Sequence, residues 1–214
     1  DDLLSLCQSL RGTRDIENAC AALSKWDRTA NTNSGVGFVY FQAFMTEFEK
    51  IENVWKIPFD ANRPLQTPSG LALEKAAIDK QLKQALIKAA RAVDALQLPP
   101  AIEWGNIQIA GGAEKPIPIA GGDGALGIYN AIDSVPVKNQ RAVVNGSSYL
   151  QLVSFDEQGP VAHGLLAFSQ SSNPASPHAT DQTLLFSQQQ WPLLPFTAEQ
   201  LTANPPVKRL RLSE

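Results

Sequence analysis

The chain has 214 residues, a formal net charge of −3, 43 % hydrophobic and 18 % charged residues, a composition that excludes wholesale disorder and fits one or two globular domains. The densest basic cluster is the short terminal group Lys208, Arg209 and Arg211, so no nucleic-acid footprint is visible and no nucleic-acid partner is expected. No apolar run approaches the roughly 18 to 20 residues that span a bilayer, and Asp1-Asp2-Leu3-Leu4 lacks the basic and apolar regions of an export signal.

Residues 1–98 read as mainly helical. Ile16, Ala19, Cys20, Leu23 and Trp26 recur at helical spacing behind a cap at Thr13 or Asp15. The segment from Gly37 to Ile51 is apolar over more than half its circumference, which predicts a helix buried on most sides. After a loop containing Pro58 and Pro64, Thr67-Pro68 has the chemistry to cap and open a long helix. Leu71, Ile78, Leu82, Ala85, Ala89, Val93 and Leu96 give that helix one apolar face, and Pro99-Pro100 ends it.

Residues 99–214 read as β-rich. Ile102 to Ile109, Arg141 to Asn145, Ser148 to Phe155 and Val161 to Phe168 have strand composition between turn residues. Asp156 to Pro160 suits a five-residue hairpin connection, and the tail with Trp191, Pro192, Pro195 and Phe196 is expected to wrap back on the body. So few strands leave sheet faces uncovered, which implies a partner; a self-contained two-layer α+β domain is the alternative.

Chemistry-bearing patterns are sparse. Cys7 and Cys20 can form a structural disulfide or remain two buried thiols, since spacing does not fix geometry. Gly122 to Gly127 matches G-x-G-x-x-G, but Pro116 and Pro118 precede it, Pro136 follows, and no acidic residue stands about 20 positions on, so a turn is expected and no cofactor. Ser176, His178 and Asp181 have the residue types of a hydrolase triad. Triad members converge from distant segments, so the reading here is a structural loop fixed by a His178–Asp181 pair. His163, in an apolar strand, reads as a core histidine, and no metal site is expected.

The order of several stretches resembles the penicillin-acylase family of N-terminal nucleophile hydrolases, in the branch of the acyl-homoserine-lactone and aculeacin A acylases. They are Ala19-Cys20 with Leu23 and Trp26-Asp27; Trp55 with Pro58-Phe59-Asp60; Thr67-Pro68-Ser69-Gly70-Leu71; Trp104-Gly105; Ile117-Pro118-Ile119 and Gly121-Gly122; Gly127 to Asn130; Asn145 to Tyr149; and Phe168 to Ser171 with Ser176-Pro177-His178 and Asp181-Gln182. Ala179 departs from the aromatic residue common after the His.

The resemblance implies an α+β fold, the C-terminal portion of an αββα sandwich. It implies a precursor cut into an α chain and a β chain whose N-terminal Ser is the nucleophile and whose α-amine is the base. Residue 1 here is Asp, so the chain is expected to begin after the nucleophile and to carry no catalytic residue of its own. The implied partners are the α chain, the N-terminal part of the β chain and a small N-acylated substrate, and the implied location is periplasmic or secreted. The rival of another class is a non-catalytic module presenting the aromatic residues near Trp191.

Overall fold

The computed structural model describes residues 2–111, 115–157 and 159–203. Asp1 and the basic group Lys208, Arg209 and Arg211 lie outside the described residues.

The helical part contains α1 (Asp2–Ser9), α2 (Glu17–Lys25), α3 (Gly37–Phe48) and, beyond two short strands, α4 (Ala76–Asp94). Its core is one cluster in which Leu6, Ala19, Leu23, Tyr40, Phe44, Leu82, Leu86 and Ala90 are buried together. The stripe from Ile16 to Trp26 does form α2, but the expected cap does not operate. Thr13 precedes a single 3₁₀ turn at Arg14–Ile16, makes no side-chain cap bond, and α2 starts at Glu17. Asp15 instead receives Arg91 Nη2 of α4 at 2.6 Å.

Helices α2 and α3 cross where α3 begins. A Cβ on Gly37 would lie 2.5 Å from Trp26 Cβ and 2.6 Å from the Ala22 carbonyl oxygen, so only glycine permits this approach. Gly37→Ala is therefore expected to lower stability by about 1–3 kcal/mol through overpacking, measured as a shift in the urea midpoint.

The long helix does not open at Thr67-Pro68. That peptide is cis, and the Thr67 hydroxyl is engaged by the loop, accepting from the Asp60 N–H at 2.8 Å and donating to the Arg63 carbonyl at 2.8 Å. Gly70 at φ +66° then carries the chain through β2 (Ser69–Leu71), which pairs antiparallel with β1 (Trp55–Ile57). Leu71 thus lies in a strand, and α4 begins five residues later at Ala76. It ends at Asp94, ahead of the two prolines, and Leu96 is 42 % exposed beyond it.

The run from Ile102 to Ile109 is likewise not one strand. Trp104–Ile107 forms a helical turn, α5, because the Trp104 and Gly105 N–H groups bond the Ser34 and Thr32 carbonyls, both at 2.7 Å. Only β3 (Gln108–Ala110) is extended. It lies in a four-stranded sheet of order β4-β3-β6-β5 with β4 (Ile117–Pro118), β5 (Ile132–Val137) and β6 (Gln140–Gly146). Sequence patterning missed β5 because Pro136 interrupts it; the strand is at the sheet edge, where proline is tolerated.

A second sheet, β7-β8-β9, is built from β7 (Tyr149–Asp156), β8 (Gly159–Leu166) and β9 (Leu193–Leu194). The β7–β8 connection is tighter than the five residues expected: pairing continues to Asp156 opposite Gly159, whose φ of +120° suits glycine. The chain crosses α6 (Asp181–Ser187), returns through β9 against β8, and ends the described region in α7 (Ala198–Ala203). Ile117, Ile119, Ile132, Leu150, Leu165 and Phe186 form the core between the sheets and α6.

Candidate functional site

The most constrained polar chemistry lies at the junction of the helical and β parts. Trp104 is fully buried, packs edge-to-face on Phe38 of α3 with centroids 4.8 Å apart, and donates from Nε1 to the Gly121 carbonyl at 2.9 Å. Gln108 is also fully buried. Its Nε2 donates to the Ile119 and Gly121 carbonyls, both at 3.0 Å, and its Oε1 accepts from Ser134 Oγ at 3.0 Å. Gly121 sits at φ +101°, and its N–H donates to the Ala30 carbonyl at 2.7 Å. A Cβ there would meet the Asn130 carbonyl oxygen at 2.3 Å, so glycine is required.

Upstream, Asp27 organises the loop that feeds this junction. Its carboxylate accepts from the Thr29 N–H at 3.0 Å, the Thr29 hydroxyl at 2.8 Å and the fully buried Ser34 hydroxyl at 3.2 Å. Desolvation pushes the Asp27 carboxyl up, but the hydrogen bonds from Thr29 and Ser34 outweigh it and hold the group below its ordinary value. Trp104-Gly105 and Gly121-Gly122, prominent in the sequence, thus fasten the two parts together, while Asp27 shapes the loop whose carbonyls receive them.

Sequence alone does not single out Gln108 or Ser34. The available signal was a lone amide between Ile107 and Ile109, and a small hydroxyl residue beside Gly35. Both read as ordinary loop or strand residues until the chain is folded.

The sequence-predicted site residues fall elsewhere. Cys7 of α1 and Cys20 of α2 are joined by a disulfide. Ser176, His178 and Asp181 lie on the loop before and at the start of α6. His178 Nδ1 and Asp181 Oδ2 are 2.8 Å apart, while Ser176 Oγ accepts the His178 backbone N–H at 3.1 Å. Among the described residues no hydrogen bond links the Ser176 hydroxyl to the imidazole, so the serine is a turn former rather than an activated nucleophile. The His178 bond holds the Asp181 carboxyl below its ordinary value. Ser169 Oγ, Thr183 Oγ1 and Gln182 Oε1 complete the network, the last accepting the Leu166 N–H at 2.7 Å.

His163 Nδ1 lies 2.9 Å from the Trp191 carbonyl and ties β8 to the returning tail. Gly122 to Gly127 forms a 3₁₀ turn capped by Asp123, whose Oδ1 accepts the Ala125 N–H at 2.9 Å, and is followed by an edge strand. That is not the strand–turn–helix geometry of a dinucleotide site. Among the described residues no cluster of metal-binding side chains occurs, and no helix is long and apolar enough to cross a membrane.

The β7–β8 hairpin exposes apolar side chains on both of its faces. On one face the register places Tyr149, Val153 and Phe155 beside Leu166, Ala162 and Pro160; Phe155 is 80 % exposed. On the other face Leu150 and Leu165 are buried in the core, but Leu152 and Leu193 farther out are half exposed. A hairpin apolar on both faces fits the interior of a layered structure rather than a solvated edge.

Comparison with known proteins places these features in context. The penicillin amidase family model matches residues 1–203. The chain is 47 % identical over 216 residues to the acyl-homoserine lactone acylase PvdQ of Pseudomonas savastanoi pv. phaseolicola, covering all of this chain and 28 % of that protein. It is 48 % identical over 216 residues to the corresponding acylase of Pseudomonas syringae pv. syringae, again all of this chain and 28 % of the relative. Aculeacin-A acylase of Actinoplanes utahensis is 30 % identical over 223 residues, all of this chain and 27 % of that enzyme. The chain therefore spans little more than a quarter of the length of these relatives, and over that span it belongs to the penicillin amidase family.

Proposed function

We propose that this chain is the C-terminal scaffold of an amide hydrolase that removes the acyl chain from N-acyl-homoserine lactones. The observation that carries the reading is the match over the whole chain to acyl-homoserine lactone acylases at 47 and 48 % identity. The nucleophilic Ser, its α-amine base and the oxyanion donors belong to the N-terminal part of the β chain of the same precursor, and the α chain is the further partner. The Cys7–Cys20 disulfide supports a periplasmic or secreted location, since such bonds persist in oxidising compartments.

The role of these residues is mechanical. The Trp104–Gly121–Gln108 junction holds the helical part against the sheet, and the two-faced hairpin offers apolar surface for the companion segments to cover. Val153→Ser with Phe155→Ser changes two exposed side chains, so it alters this chain's own stability by about 0.5 kcal/mol or less. It is expected to cut co-purification of the companion and acylase activity at least about tenfold, because buried apolar area drives such association. Unchanged assembly would remove the hairpin from the interface.

The substrate is tested by supplying the complete preparation with a long-chain acyl-homoserine lactone and measuring release of free homoserine lactone amine; no release contradicts the assignment. The 30 % match to aculeacin-A acylase favours acylated lipopeptides as the second substrate class, with β-lactam side chains as a third. The same preparation assayed against all three ranks them by kcat/KM.

A further inference from the structure

We propose that the loop joining β1 to β2, residues 58–68, is a preformed plug that seats Phe59 and Leu65 in an apolar pocket of the companion polypeptide of the same precursor. Leu65 is 91 % exposed, Phe59 is 63 % exposed, and Ile57 at the base of the loop is half exposed. The register sets Ile57 opposite Ser69, so the chain leaves the β1–β2 ladder and re-enters it at one place, as an Ω-loop does.

The loop holds its shape through its own hydrogen bonds. Thr67 is buried at its base, and its hydroxyl accepts the Asp60 N–H and donates to the Arg63 carbonyl, both at 2.8 Å. The Arg63 carbonyl also accepts the Gln66 and Thr67 N–H groups at 3.2 and 3.1 Å, and the Arg63 N–H donates to the Asp60 carbonyl at 2.9 Å. Asp60 Oδ1 accepts the Asn62 N–H at 2.9 Å. These bonds flank Leu65 on both sides and fix it on a closed frame, so little chain entropy is left to lose when it is covered.

A single exposed leucine is ordinary, but two large apolar side chains on one rigid loop, where turn residues are normally polar, are not. Side chains this exposed project from the surface instead of lining a cleft, so the occupant is another polypeptide with an apolar pocket and not a small ligand. The whole chain, this loop included, matches its acylase relatives yet spans only 28 % of their length, so the greater part of such a protein is available to supply that pocket. The inference rests on the acylase reading for the identity of the companion, and it names a contact separate from the β7–β8 hairpin.

Hydroxyl-radical footprinting of the native preparation tests it, with the urea-unfolded preparation as reference and the masses and N-termini of all polypeptides read from the same sample. Leu65 and Phe59 are expected to label about tenfold more slowly than in the unfolded reference, because side chains seated in such a pocket exclude water. Leu65→Ser alters only an exposed side chain of this chain and is expected to weaken retention of the companion about tenfold or more. A companion beginning with Ser, together with Leu65 labelled at nearly its unfolded rate, overturns this contact and leaves the acylase reading standing. Protection of Leu65 with no companion present also overturns it, by assigning the cover to this chain or a second copy. A reactive Leu65 with no companion removes both readings.

Discussion

Trp104→Ala is expected to lower the unfolding free energy by about 3–5 kcal/mol, the cost of removing a large aromatic side chain from a close-packed interior. Trp104 has no exposed surface and shares a cluster with Phe38 and Ile107, contributed by α3 and α5. The deletion leaves a cavity where the helical and β parts meet, which neither part can fill alone. The Gly121 carbonyl keeps its bond from Gln108 Nε2, so lost volume dominates over the lost hydrogen bond. Trp104→Phe, which retains most of the ring volume but not the N–H, should recover more than half of the deficit. Urea unfolding of the three proteins checks this; a deficit below about 1 kcal/mol in Trp104→Ala would show that the junction relaxes around the gap.

Loss of the disulfide comes next in size. Cys7 and Cys20 are 13 residues apart, and closing a loop of that length stabilises by about 3 kcal/mol in the chain-entropy description. Helix α1 has eight residues, too short to persist alone, and is anchored by buried Leu6 and by this bond to α2. The Cys7→Ser, Cys20→Ser double variant should therefore lose amide-exchange protection first across α1 and then, by the full amount, throughout the helical cluster. Protection unchanged in α1 would show that Leu6 and its neighbours hold the helix unaided.

Which features could be read from sequence follows from the range of the forces that make them. Helices α2 and α3 and strands β6 to β8 are set by local apolar periodicity and were legible. The start of α4 was not, because Thr67-Pro68 carries a helix-opening pattern, yet the Thr67 hydroxyl is committed to Asp60 and Arg63 and the chain after Pro68 pairs with β1. The turn α5 has the composition of a strand, yet its helical bend is imposed by carbonyls of Thr32 and Ser34, some 70 residues earlier. Strand β5 was hidden by Pro136, whose tolerance depends on an edge position that only the assembled sheet reveals.

The same distinction governs the site residues. His178 and Asp181 are three residues apart, and so local a pair is open to sequence reading. Gln108 is not. Its partners Ile119, Gly121 and Ser134 lie on other segments, and nothing around it in sequence announces a buried amide with both ends engaged.

As proposed above, these residues are the scaffold of an acylase whose nucleophile is carried by a companion. It is tested most directly by the intact mass and N-terminal sequence of every polypeptide that co-purifies with the chain under native conditions. A companion whose first residue is Ser is the expected result; a stable, monomeric, well-folded species of 23.1 kDa with nothing bound would contradict the scaffold role.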